Sequence, residues 1–210
     1  MHPDREEMVN ALTHGAGAAA SVFGAAFLVA LAAGGGAGRL LAAVVYGVAL
    51  VLLYTASTCY HAARCAVRKR RLRVLDHCAI YVFIAASYTP LALGALNGPW
   101  QWGLLAVIWS LAAAGVLYKL FLLGRYPRFS TLSYLAMGWL AALALPALLR
   151  ALDPATVAWI VAGGLAYTVG TLFLHTRRVP YAHGIWHGFV LTGSLCHYLA
   201  ILGVLSAPVV

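Results

Sequence analysis

The chain has 210 residues, 63% of them hydrophobic and only 9% charged, with a mean hydropathy of +0.88. Those values lie outside the range of soluble domains and describe an integral membrane protein. The formal charge of +9 does not indicate nucleic acid, because the basic residues sit in short segments between apolar runs, where they act as topology signals and contacts for anionic lipid.

A hydrocarbon core of ~30 Å needs about 20 apolar residues per helix. Such runs fall at roughly 12–33, 40–61, 75–95, 101–123, 130–149, 155–174 and 183–205. The expected fold is all-α, a seven-transmembrane helix bundle that uses residues 1–210 as a single domain. Twelve of the fourteen Lys and Arg residues fall on one side of this layout: Arg5, then Arg64, Arg68, Lys69, Arg70, Arg71 and Arg73, then Lys119, Arg125 and Arg128, then Arg177 and Arg178. Only Arg39 and Arg150 fall on the other. The positive-inside rule then predicts a cytoplasmic N-terminus and an outside C-terminus in a multi-pass membrane protein. Asp4, Glu6 and Glu7 make the extreme N-terminus acidic, unlike the basic start of a cleavable signal peptide.

In the first segment, EEMVNALTHGAG, Asn10 is a candidate N-cap and His14 reads as a hydrogen-bonded helix packer at the membrane interface. The second span closes with STCYH, which places His61 at its cytoplasmic end and Ser57 one turn deeper on the same face. Ser57 by itself also fits interhelical hydrogen bonding. The third span opens with LDHCAIYVFIAASYTP, and Asp76 is the only carboxylate that falls at the head of an apolar span rather than in a tail or an external loop. Burying a carboxylate at mid-membrane costs on the order of 2.5–3.5 kcal/mol and less near a helix end, which makes Asp76 a functional candidate. Its competing role is a charge that complements the helix dipole. His77 points ~100° away and is expected to lie outside any site built on Asp76. Pro90 is a candidate kink.

The middle of the chain is chemically quieter. Trp100 and Trp102 read as interfacial aromatics, Lys119 as a snorkelling cation at the inner end of the fourth span, and the small residues 162–164 as a close-packing seam. Asp153 before Pro154 has the pattern of an N-cap with proline at N1. Cys59, Cys65, Cys78 and Cys196 show no CxxC pair and read as reduced packing residues.

The last span carries HGIWH, His183 and His187 four apart. On a helix both imidazoles lie on one face and can share an ion. His197 is ten residues further, ~15 Å along the axis, and reads as a buried, hydrogen-bonded packer. The inside/outside assignment brings His61, Asp76, His183 and His187 to the same half of the bundle. Three neutral imidazoles with an open fourth position describe a catalytic zinc. Asp76 could then orient or deprotonate a water, and Ser57 could hold that water or an oxyanion.

STCYH, LDHCAIYVFIAASYTP and HGIWH followed by GSLCHYLAIL also resemble the hemolysin III family, the bacterial branch of the progestin and adipoQ receptor family within the CREST group. The likeness covers essentially the whole chain. It implies zinc held by His61, His183 and His187, with Ser57 and Asp76 beside it. It further implies hydrolysis of a lipid amide or ester, since the group includes or neighbours lipid amidases of the ceramidase type. Cys78 departs from the small hydroxyl residue common there, and the long soluble N-terminal segment of the animal receptors is not expected here, so a receptor role does not carry over. Membrane lipids and a lipid-like substrate are the expected partners, and nucleic acid is not. A zinc-dependent hydrolase leads. A non-enzymatic cytolytic, pore-forming or membrane-regulating protein with structural zinc is the alternative, and a metal or proton transporter comes third because His197 alone offers a thin path across the membrane.

Overall fold

A computed structural model describes residues 3–176 and 178–207; Arg177, counted above among the basic residues, lies outside them. In chain order the helices are α1 (Pro3–Ala32), α2 (Ala37–Ala62), α3 (Ala66–Ala95), α4 (Gly98–Leu122), α5 (Pro127–Gly138), α6 (Leu145–Ala151), α7 (Pro154–Leu174) and α8 (Ala182–Ser206). A 3₁₀ stretch, Trp139–Ala144, joins α5 to α6. Seven helical segments are long and apolar enough to cross a membrane, α5 through α6 forming one of them, and the described residues contain no strand. In lipid an uncovered backbone N–H or C=O finds no water, so a helix that satisfies its own bonds is the solution open to runs of this composition.

Successive helices pack on one another, and the bundle closes because α1 and α3 both also pack against α8. One core, built on Leu28, Tyr46, Leu53, Phe83 and Ile201, fills the space between α1, α2, α3 and α8. A second, around Tyr81, Tyr88, Ile108, Met137 and Leu148, joins α3 to α4, α5 and α6. The lipid side is apolar as well, with Phe23, Phe121, Leu143 and Leu172 exposed. Trp100 and Trp102 are exposed where α4 begins, as belt aromatics should be. The expected seam at 162–164 is real: a Cβ at Gly163 would lie 2.0 Å from His197 Cδ2 and 3.1 Å from the Gly193 carbonyl oxygen.

Two helices start earlier than hydropathy predicts. α1 begins at Pro3 and α3 at Ala66, so the basic run from Arg68 to Arg73 is helical rather than looped. Arg, Lys, Glu, Met and Leu are good helix formers, and hydropathy marks depth in the membrane, not helicity. Asn10 is consequently not a cap. It is buried inside α1. Asp153 does cap α7, accepting from the Thr156 backbone N–H at 3.0 Å, with Pro154 following. The Thr156 hydroxyl and backbone hold its carboxyl below the usual carboxylate range. α3 continues through the buried Pro90 to Ala95. All four cysteines are free, but only Cys78 and Cys196 are packed; Cys59 and Cys65 are exposed.

The fifth span is broken. Pro146, near the start of α6, cannot donate to a helical carbonyl, and the six residues before α6, Trp139–Ala144, tighten into 3₁₀ geometry. Tyr88 of α3 compensates from outside: its hydroxyl reaches the Met137 and Gly138 carbonyls at 2.8 and 2.7 Å, and accepts from the Ala141 N–H at 3.0 Å. Replacing the buried Tyr88 with Phe strips the break of these partners and is expected to cost about 1–3 kcal/mol. A lowered thermal unfolding midpoint in detergent checks this, and an unchanged midpoint would refute it.

Candidate metal centre

Alternation of the spans brings the start of α1, the end of α2, the starts of α3 and α5, the ends of α4 and α7 and the start of α8 to one end of the bundle. His61 occupies the last turn of α2, and His183 and His187 the first turns of α8. The turn into α8 is tight, with Tyr181 in the left-handed region at φ 55°, a conformation a bulky residue adopts only when its surroundings demand it. One ring nitrogen from each of His61, His183 and His187 lies within 4.8 Å of the other two. Ring centroids are 5.1 Å apart for His61 and His183, 5.0 Å for His61 and His187, and 4.7 Å for His183 and His187.

The donor set fits a metal ion. His61 Nδ1 donates to Glu7 Oε2 at 2.9 Å, which leaves Nε2 buried with no hydrogen-bond partner. His187 Nδ1 faces the Asn10 carbonyl oxygen at 3.3 Å. A carboxylate or backbone carbonyl on one ring nitrogen fixes the tautomer that presents the other to a metal. Tetrahedral ligands at 2.0–2.1 Å stand about 3.3 Å apart, so modest side-chain movement suffices to close the three histidines on an ion. Lys69 Nζ, 2.9 Å from the same Glu7 oxygen, balances the charge of the supporting carboxylate.

Beside this cluster, Ser57 Oγ lies 2.7 Å from His14 Nδ1 and within interaction range of the Asp76 carboxyl. The His14 ring stacks on His187 with centroids 3.5 Å apart and planes 8° from parallel. His14, Ser57, Asp76, His183 and His187 open into one cavity of about 340 Å³ whose walls include Leu53, Ile80, Phe83, Ile84 and Val190. A volume of that order is typical of a small-molecule site. Among the residues lining it, Gly138 and Trp139, where the fifth span is broken, and Arg73 and Gly124 near the helix ends are also exposed on the surface of the bundle.

The residues singled out from sequence, His61, Asp76, His183, His187 and Ser57, thus meet at one end. Three expectations change. His77 lines the cavity beside Asp76 instead of lying outside it. His14 is hydrogen-bonded and buried as expected, but it packs on a candidate ligand. Lys119 is 2% exposed and does not snorkel. His197 stays outside the histidine cluster, edge-on to Tyr167 at 5.5 Å, though it lines the deep end of the cavity. Glu7 was missed. A usable signal existed, since positions 7, 10 and 14 share a helix face, but it shows only once the acidic segment is read as helix.

Seven spans with a three-histidine cluster at one end define a multi-pass membrane protein with a candidate metal centre. A family model described as haemolysin-III related matches residues 4–198. The chain is 40% identical over 199 residues to the Hemolysin-3 homolog of Bacillus subtilis, covering 94% of this chain and 93% of that protein. It is 41% identical over 199 residues to Hemolysin-3 of Bacillus cereus, covering 94% and 91%. Against the human monocyte to macrophage differentiation factor it is 34% identical over 173 residues, 77% of this chain and 69% of that protein. The chain belongs to the haemolysin-III related family, as its motifs suggested.

Changing Glu7 to Gln removes the carboxylate that orients His61 and is expected to weaken divalent-metal binding about 10-fold or more. Titration against a competing chelator measures this. Affinity equal to wild type would show that other contacts hold the ring.

Proposed function

We propose that this protein is a zinc-dependent intramembrane hydrolase of a lipid amide or ester bond, acting at the cytoplasmic side of the bacterial inner membrane. The observation that carries the reading is the juxtaposition of three histidines with Asp76 and Ser57 on one apolar-walled cavity. The imidazole set matches the ligand preference of catalytic zinc, and three protein ligands leave one position open. The chemistry zinc supplies when bound is a water that ionises near neutral pH and a polarised substrate carbonyl.

The chain's own groups have distinct tasks in this reading. His61, His183 and His187 hold the ion, and Glu7 and the Asn10 carbonyl orient two of them. The Asp76 carboxylate takes a proton from the attacking water and returns it to the departing amine or alcohol. With His14 Nδ1–H donating to Ser57 Oγ, the serine proton is free to point at Asp76 or at a substrate oxygen. The acyl chain lies along the apolar walls, and a lipid enters sideways from the bilayer past Gly138 and Trp139, which both line the cavity and are exposed at the broken fifth span.

A second reading, a non-enzymatic cytolytic or membrane-regulating protein with structural zinc, draws on the name Hemolysin-3 carried by the Bacillus cereus relative. A water-filled pore needs polar linings along its length, whereas here the polar groups concentrate at one end.

Purified wild type should contain one zinc per chain, and His61→Ala, His183→Ala or His187→Ala should lose it. Asp76→Ala should keep zinc and abolish lipid turnover, read as accumulation of one lipid class in cells expressing the variant relative to wild type. Absence of zinc from the wild type, or identical lipid profiles with Asp76→Ala, would sink the hydrolase reading. Orientation has its own probe. Cys65, fully exposed just before α3, has its thiol pulled below the usual range by the Arg68 and Val67 backbone N–H groups. More of it is thiolate at neutral pH, so it should react with maleimide faster than an ordinary cysteine. An impermeant maleimide should spare it in intact cells and label it in inverted vesicles; the reverse pattern would place the site outside.

A further inference from the structure

We propose that the cavity contains a second, anion-binding subsite centred on Lys119, which holds the acidic headgroup of a single-tailed lipid, a carboxylate or a phosphate. Lys119 lies in the last turn of α4, where a lysine normally extends to the aqueous boundary. Here the side chain turns inward instead. It is 2% exposed, its Nζ donates to Ser130 Oγ at 2.6 Å, and the rings of Tyr118 and Tyr134 lie 5.6 and 5.5 Å from it. Ser130 is neutral and passes its own proton towards the Tyr126 carbonyl. An ammonium has three protons to place, and one hydroxyl with two aromatic rings does not neutralise its charge.

The ion pairs among the described residues join Glu7 to His61 and to Lys69, and neither involves Lys119. Asp76 is the carboxylate on the cavity wall, and Arg73 on the same wall acts on it as well as Lys119. Two cations therefore face one carboxylate, and the wall carries surplus positive charge. A buried cation without a matched anion is costly, and a ligand that brings a negative charge removes that cost. Apolar walls continue from this point through Ile84 and Leu135, which suits a ligand with a hydrocarbon tail. The proposal rests on the reading of the cavity as a lipid site, but not on hydrolysis.

The test uses full-length protein in uncharged detergent, stripped of metal so that an acid cannot be held by the histidine cluster. Competition against radiolabelled hexadecanoate compares hexadecanoate, hexadecyl phosphate and hexadecanol. Either acid should bind at least tenfold more tightly than the alcohol, and the tighter of the two identifies the headgroup. Lys119→Met should bring that ratio to within about twofold while leaving hexadecanol binding unchanged, and Lys119→Arg should preserve it. Lys119→Gln, which retains a hydrogen bond to Ser130, serves if the Met variant does not fold. Equal binding of acids and alcohol by metal-free wild type overturns the proposal without any variant, as does selectivity that survives Lys119→Met. Selectivity without lipid turnover would remove the hydrolase reading alone, and turnover without selectivity would remove the subsite alone.

Discussion

A single carboxylate, Glu7 on the first helix, fixes the imidazole of His61 at the end of the second, and the geometry of the histidine cluster depends on that contact. An imidazole at a helix end can rotate and can carry its proton on either nitrogen. The 2.9 Å bond to Glu7 selects one tautomer and turns Nε2 to the interior, while Lys69 offsets the charge this brings to the membrane boundary. The Asn10 carbonyl meets His187 in a similar way, and the His14 ring lies flat against it. The first helix supplies none of the three candidate ligands, yet it sets the orientation of two.

The bundle concentrates its polar chemistry at one end and leaves the rest to packing. Polar groups inside a membrane are tolerated where they satisfy one another or border a cavity; Ser57 and His14 hydrogen-bond each other, and both line the cavity together with Asp76. The break in the fifth span is the complementary case. Backbone groups of Met137, Gly138 and Ala141, where the chain passes into 3₁₀ geometry, are partnered by the Tyr88 hydroxyl, so an irregular wall can stand at membrane depth beside the cavity.

The number of spans, their alternation and the meeting of His61 with His183 and His187 were legible in the sequence, because hydropathy, basic-residue placement and fourfold spacing are each imposed by local physics. Asp76 stood out for the same reason, as a charge where charge is costly. What stayed hidden depended on where helices begin and which way side chains turn. Glu7 read as a tail residue because acidic, polar segments carry no hydropathy signal even when helical. Lys119 read as a snorkelling cation because its distance from the helix end was right, and only the packing of Tyr118, Tyr134 and Ser130 turns it inward. His77 was set aside from its angle to Asp76, but a cavity wide enough to span several helices admits neighbours that a small site would separate.

The chain order of the cluster also bears on how the protein is made. Glu7 and Asn10, which orient two of the histidines, are synthesised before His61, and His183 and His187 follow only after four further spans. A chain that has not yet inserted α8 lacks two of the three histidines, so a complete cluster, and any ion it could hold, comes only with that helix. An ion caught there would tie α2 directly to α8, with the first helix joined only through Glu7 and the Asn10 carbonyl behind two of the ligands.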